Sequence, residues 1–221
     1  MPLILGTNSI KDTGYDVANS VRLNRGDSPY FQRTPSSASN RRTWTWSGWV
    51  KRSGLGNIQT LFNGSDGGYP EIFYFAADDT FIYQHDISGS DYKLISSQVF
   101  RDVSAWYHIV VRLDTTESTA NDRLRIYVNG SQVTAFDTRN NFSEDDTTAF
   151  SGNGNPLRIG DWAGSHFFQG YLAEFIQCDG QSLGPDSFGE FDAATGVWVP
   201  IDPSGLTFGN NGFHLKFDDP N

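Results

Sequence analysis

The sequence has a single cysteine, Cys178, in 221 residues. No intrachain disulfide can form, and a cysteine-based zinc site is excluded. Small secreted domains usually rely on disulfides, so this chain either folds in a reducing compartment or is large enough to do without them. Basic residues are outnumbered: 16 Lys and Arg stand against 26 Asp and Glu, a net charge of −10. An acidic surface repels phosphate backbones, which argues against a nucleic-acid partner. Long apolar runs are missing as well. The opening Met1-Pro2-Leu3-Ile4-Leu5-Gly6 has no basic n-region and is too short for a signal peptide or a membrane span. The expectation is a soluble protein, not inserted in a membrane and not exported by the general secretory route. No stretch keeps a 3.6-residue apolar period long enough for a helix; one helical turn is expected at 185–189, where Pro185 suits a first helical position.

What is present is β-structure. With 23 glycines and 14% aromatic residues, the chain breaks into short strand-like runs at 21–23, 30–32, 43–51, 59–62, 71–76, 80–84, 92–96, 106–113, 123–128, 132–136, 157–160 and 167–178. Gly, Asn, Asp and Ser clusters separate them. Many short strands with frequent turns predict a two-sheet antiparallel sandwich or jelly roll. The length suits one such domain.

The most telling stretch is Trp106-Tyr107-His108-Ile109-Val110-Val111-Arg112-Leu113-Asp114, followed after a polar gap by Leu124-Arg125-Ile126-Tyr127-Val128-Asn129-Gly130. Ile109, Val111 and Leu113 share one strand face, and Leu124, Ile126 and Val128 share another. Asn129-Gly130 predicts a type I′ hairpin turn, which needs positive φ at both central residues. These runs resemble the "W-h-H-V-a … L-r-l-Y-V-N-G" signature of the laminin G-like, concanavalin A-like jelly-roll family. Trp44-Thr45-Trp46-Ser47-Gly48-Trp49-Val50-Lys51 is similar to its "F-T-I-S-A-W-V-K" strand. Leu157-Arg158-Ile159-Gly160 is similar to its "l-r-I-G", and Phe168-Gln169-Gly170-Tyr171-Leu172-Ala173-Glu174-Phe175 to its "f-n-G-y-I-D-E-v". The resemblance covers residues 40–180 in order. It implies an all-β, two-sheet antiparallel jelly-roll sandwich over 16–221, preceded by an irregular arm at 1–15. Its core should hold Trp44, Trp46, Ile109, Val111, Leu124, Ile126, Val128, Ile159 and Leu172. Trp49 should point to the opposite face from Trp44 and Trp46. Residues 21–23 and 214–217 are the expected closing pair of terminal strands. The flanks at 20–27 and 205–215 resemble a version of this domain found in structural proteins of marine bacteriophages.

Catalytic patterns are absent. Some members of this family are glucanases with paired carboxylates in E-x-D-x-E on one strand, and no such pattern occurs. Glu174 holds the family's "D-E" position, between Ala173 and Phe175, and a structural hydrogen bond is its expected role. The other acids are expected in loops. Gly-x-Ser-x-Gly is missing. His85, His108, His166 and His214 show no metal-ligand spacing; His108 is expected to pack or to hydrogen-bond.

Loops between antiparallel strands alternate between the two ends of a sandwich. Counting from the strand at 43–51 sends loops 63–70, 86–91, 114–122 and 137–155 to one end, and 53–58, 78–79, 98–104, 129–130 and 161–166 to the other. The first end collects the acids. Asp66, Asp91, Glu117 and Asp145 are the candidate ligands for a calcium ion, which takes six to eight oxygens; the same acids also serve plain solubility. Asp66 and Tyr69 form a candidate carbohydrate-binding pair, a carboxylate beside an aromatic ring. Trp162, at the opposite end, either stacks on a sugar or caps the core.

The function expected from the resemblance is a non-enzymatic virion module on the outside of a phage capsid or tail. It would be made in the host cytoplasm and act as a homo-oligomer or in many copies, contacting another virion protein, a host cell-surface glycan, or both. Two alternatives stand beside it: a purely structural capsid decoration protein without glycan binding, and a bacterial carbohydrate-binding module or glycoside hydrolase.

Overall fold

The computed structural model describes residues 15–87 and 89–218; apart from Tyr15, the arm expected at 1–15 lies outside the described residues. The strands in chain order are β1 (Val21–Leu23), β2 (Phe31–Arg33), β3 (Thr43–Arg52), β4 (Gln59–Asp66), β5 (Tyr69–Phe75), β6 (Thr80–Ile87), β7 (Ser90–Val99), β8 (Tyr107–Asp114), β9 (Leu124–Val128), β10 (Ser131–Gln132), β11 (Phe136–Asn140), β12 (Leu157–Ile159), β13 (Gly170–Asp179), β14 (Gly189–Phe191), β15 (Trp198–Pro200) and β16 (Phe213–Leu215). Among the described residues the helices are one turn at Ala120–Arg123 and three 3-10 turns, one of them Pro185–Ser187 near the expected place. One sheet runs β1-β13-β3-β8-β9-β10, with β16 also on β13; the second runs β11-β7-β6-β5-β4-β12-β2; β14 and β15 form a separate hairpin. All their pairings are antiparallel.

Strand alternation explains the core. On β3, Trp44, Trp46 and Val50 face inward and are fully buried. Trp46 packs on Phe73 of the second sheet and on Phe175, with ring centroids 4.7 and 5.2 Å apart. A Cβ on Gly48 would sit 2.7 Å from the Trp46 ring, so only glycine lets that indole lie flat along the strand. The β8–β9 register pairs Ile109 with Val128, Val111 with Ile126 and Leu113 with Leu124. Both apolar sets therefore fill one inner face, and every expected core residue is buried. Asn129 and Gly130 have φ of 48° and 77°, as a type I′ turn requires.

A buried ionisable group closes each end of the sandwich. At the end with the tight turns, Arg52 is fully buried, donates to Asp79 Oδ1 at 2.9 Å and to the Phe100 carbonyl at 2.6 Å, and lies over the Phe75 ring. At the loop-rich end the group is Glu71.

Two expectations on strand pairing are corrected. β1 and the β16 region do not pair with each other. β1 occupies Gly170–Leu172 of β13 and β16 occupies Phe175–Gln177. Ten-residue β13 is long enough to carry both three-residue strands end to end on one edge, separated by its bulge between Ala173 and Ile176. The single strand expected at 132–136 is also two strands in different sheets. β10 ends at Gln132, Val133 turns inward, and the chain crosses over to pair β11 with β7.

Candidate functional site

The loops expected at one end do gather there. Arg41 bonds both Asp66 of the β4–β5 turn and the Thr148 carbonyl; Asp145 N–H donates to the Thr115 carbonyl; Asn140 reaches the Asp91 carbonyl. The acids arrive with partners that loop counting did not foresee. Asp66 pairs with Arg41, Asp145 with Arg42 at 3.4 Å, Glu117 with Arg112 at 3.6 Å and Glu144 with Arg123 at 3.3 Å. Asp91 faces Asp86 across the β6–β7 hairpin; partial desolvation and that neighbouring carboxyl hold it above the usual carboxylate range. Among the described residues, no three His, Cys, Asp or Glu side chains come together as a metal-holding group.

The carbohydrate candidates are divided in the same way. Asp66 and Tyr69 are cross-strand partners, with Tyr69 exposed. Trp162 lies at the other end: Ile159 pairs with Phe62 and Arg158 with Asn63, so the chain runs on toward the start of β4. The half-buried Trp162 ring rests 5.5 Å from that of His166. These three residues do not form one site.

Not every other acid is in a loop. Glu71 sits on β5, faces inward and is fully buried. It accepts from Tyr83 Oη at 2.6 Å and from the Ala149 and Phe150 N–H groups at 2.7 and 2.9 Å. Burial pushes its pKa up, against these hydrogen bonds and His85. Its carboxylate ties the long loop before β12 to the sandwich. Glu174 takes the structural role expected for it: it sits in the β13 bulge at φ 47° and lies 2.6 Å from His214 Nε2.

The outer face of the first sheet carries what the sequence reading treated as framework. Odd-numbered β3 residues point outward, so Ser47, Trp49 and Lys51 share this face. His108, opposite Trp49, is 1% exposed. Its Nε2 lies 2.8 Å from Ser47 Oγ, and its Nδ1 lies 2.9 Å from Trp198 Nε1. An indole N–H can only donate. Nδ1 therefore accepts, and the neutral ring carries its proton on Nε2, where it donates to Ser47. Burial pushes the His108 pKa down to about 3. A serine nucleophile needs an imidazole nitrogen that accepts its proton; the nitrogen facing Ser47 holds one already, so this pair is structural.

The chain after β13 covers part of this face. Phe188, with Leu183, Leu206 and Phe208, packs on Val110, Ile176 and Cys178. The cover stops at Pro200. Beyond it is an open cleft of about 380 Å³, floored by Trp49, Trp106 and Ala173 and walled by Pro200 and the segment 17–20. Asn19 and Ser20 are exposed polar groups on its rim, and none of the described residues that line it is charged. Sequence reasoning noticed that Trp49 points away from the core but drew nothing from it. An outward tryptophan on a central strand is the signal that was there to use.

A family model for the concanavalin A-like lectin/glucanases superfamily matches residues 25–176. A search of curated proteins found no match. Among solved structures, domain 4 of the extracellular arabinanase AbnA from Geobacillus stearothermophilus, in complex with arabinotriose, is similar at TM-score 0.54 and 17% identity, over 76% of this chain and 73% of that one. The heptameric SAP-like pentraxin of Limulus polyphemus is similar at TM-score 0.50 and 15% identity, over 70% and 71%. Domains LG4-5 of the mouse laminin alpha1 chain are similar at TM-score 0.51 and 13% identity, over 74% of this chain and 41% of that one. At such identities the likeness is one of fold.

Proposed function

The chain belongs to the concanavalin A-like lectin/glucanase superfamily, and from that we propose that it is a non-catalytic carbohydrate-binding module whose site is the cleft floored by Trp49 and Trp106. The observation that carries this reading is the pair of part-exposed tryptophans beside exposed polar groups. Indole faces stack on the apolar face of a sugar ring, and amide and hydroxyl groups bond its hydroxyls. The arabinotriose held by the arabinanase domain supports the same reading on a similar fold. Glu71, buried inside the sandwich, and Glu174, buried in the β13 bulge, are both spoken for by hydrogen bonds, which fits binding better than hydrolysis.

The resemblance of residues 20–27 and 205–215 to marine-phage structural proteins supports placing this module on the outside of a capsid or tail. There it would touch other virion proteins and act in many copies, so that weak single sites gain avidity. A glycan array probed with the whole protein, followed by titration of Trp49→Ala and Trp106→Ala, tests the binding reading. Each substitution should weaken binding about ten-fold or more. An empty array would sink it. Mass spectrometry of purified particles tests the virion setting, which fails if the protein is absent from them.

A further inference from the structure

Beside the cleft, one row of the first sheet carries two cations. Arg22 and Lys51 are both cross-strand partners of Tyr171, on its two sides, and directly paired residues project from the same face. The Arg22 guanidinium lies 5.9 Å from the centroid of the Tyr171 ring. The Trp106 ring meets that same ring edge-on at 6.4 Å. Lys51 is two residues from Trp49 on the outer face of β3. Tyr171 thus connects both cations to the aromatic floor.

Neither cation is in an ion pair among the described residues. The other outward arginines of this sheet are held: Arg112 by Glu117 and Arg125 by Asp122. Lys51 influences Asp102, but from beyond ion-pair distance. In a chain of net charge −10, two cations without an ion pair flank Tyr171, one on each neighbouring strand. Their strands lie about 10 Å apart across β13, a span that two long side chains reaching over the Tyr171 ring can close on one carboxylate.

We infer that the cleft takes a carboxylated sugar, a uronic or sialic acid, with its ring on Trp49 and Trp106 and its carboxylate on Lys51 and Arg22. This rests on the carbohydrate-binding reading of the same cleft. The wider negative field slows the approach of such a ligand at low salt, but the local charge pair holds it once seated.

Titration of the whole protein with two matched pairs tests the inference: oligogalacturonate against its methyl-esterified form, and sialyllactose against lactose. The carboxylated member of at least one pair should bind about ten-fold tighter. That advantage should shrink at high salt, vanish in Lys51→Met and Arg22→Gln, and persist in Lys93→Met, whose cation lies on the other sheet. Which pair responds tells the two acid sources apart. If the members of both pairs bind equally, or a glycan array returns only neutral sugars, the inference falls and the carbohydrate-binding reading stands. If the array is empty, both fall.

Discussion

Trp198 donates its indole N–H to His108 Nδ1 at 2.9 Å, and this bond fixes both the tautomer and the charge of a buried imidazole. Desolvation holds the folded-state pKa of His108 at about 3, against about 6.5 in the unfolded chain. Between those values the unfolded state binds a proton that the folded state refuses. His108 therefore contributes stability that is complete above pH ~6.5 and is lost as pH falls toward ~3, at up to about 1.4 kcal/mol per pH unit. Urea unfolding at pH 7, 5 and 4 checks this. His108→Gln should show a shallower loss than the parent across that range, and parallel curves for the two proteins would refute the assignment.

The same bond predicts an asymmetry at position 198. Trp198→Phe keeps a ring against His108 but leaves Nδ1 buried without a donor, costing about 1–3 kcal/mol. Trp198→Ala also strips the cover from that part of the outer face and should cost about 3–5 kcal/mol. Denaturant midpoints measure both. Since Trp198 does not line the cleft, Trp198→Phe should leave glycan binding unchanged, and a loss comparable to that of Trp49→Ala would place the site elsewhere.

The legible part of this molecule is what alternation and turn chemistry govern. Trp44, Trp46, Ile109 and Leu124 read as core because period-2 burial is a local property of each strand. Asn129-Gly130 read as a turn because few other residue pairs tolerate two positive φ values. Loop parity correctly gathered Asp66, Asp145 and Glu117 at one end, because strand direction alone decides it. It missed Arg112, which meets Glu117 five residues further along the chain, and Arg41 and Arg42, whose pairing joins segments distant in sequence. The β1 and β16 pairing was missed for the same reason: both strands compete for an edge whose length is set by β13. The cleft was hidden because it exists only where the chain after β13 leaves Trp49 and Trp106 part-exposed, a matter of tertiary packing to which the outward-pointing Trp49 was the local clue.

Glu71 gives a prediction about order rather than binding. Its carboxylate bonds Tyr83 and the N–H groups of Ala149 and Phe150. Glu71→Ala leaves three buried donors without an acceptor and should cost about 3 kcal/mol or more. Glu71→Gln turns an amide N–H₂ toward groups that also donate and should recover only part of that. Amide hydrogen exchange provides the readout: protection at Ala149 and Phe150 should drop in Glu71→Ala before protection of the central strands does. Uniform loss across the sheet would mean that Glu71 holds the whole core rather than the loop.

At the acidic rim, stability should respond to arginine rather than to calcium. Asp66, Glu117 and Asp145 already face Arg41, Arg112 and Arg42, and a cation that takes six to eight oxygens would have to displace guanidinium groups that sit on them. A ligand stabilises a fold by RT ln(1 + L/Kd), where L is its free concentration, so one that stays below its Kd adds almost nothing. Millimolar calcium should therefore move the Tm by less than about 1 °C. The strongest of these contacts is between Arg41 and Asp66, because Arg41 also bonds the Thr148 carbonyl and so joins the β4–β5 turn to the loop before β12. Arg41→Gln should lower the Tm by several degrees at most, in keeping with the ~0–1 kcal/mol of a partly exposed ion pair and the loss of one hydrogen bond. It should also free Asp66, so any calcium response ought to be larger in Arg41→Gln than in the parent. A calcium-induced rise of about 4 °C or more in the parent protein would instead show that the rim rearranges to bind the ion, and that the arginines are its gate rather than its substitute.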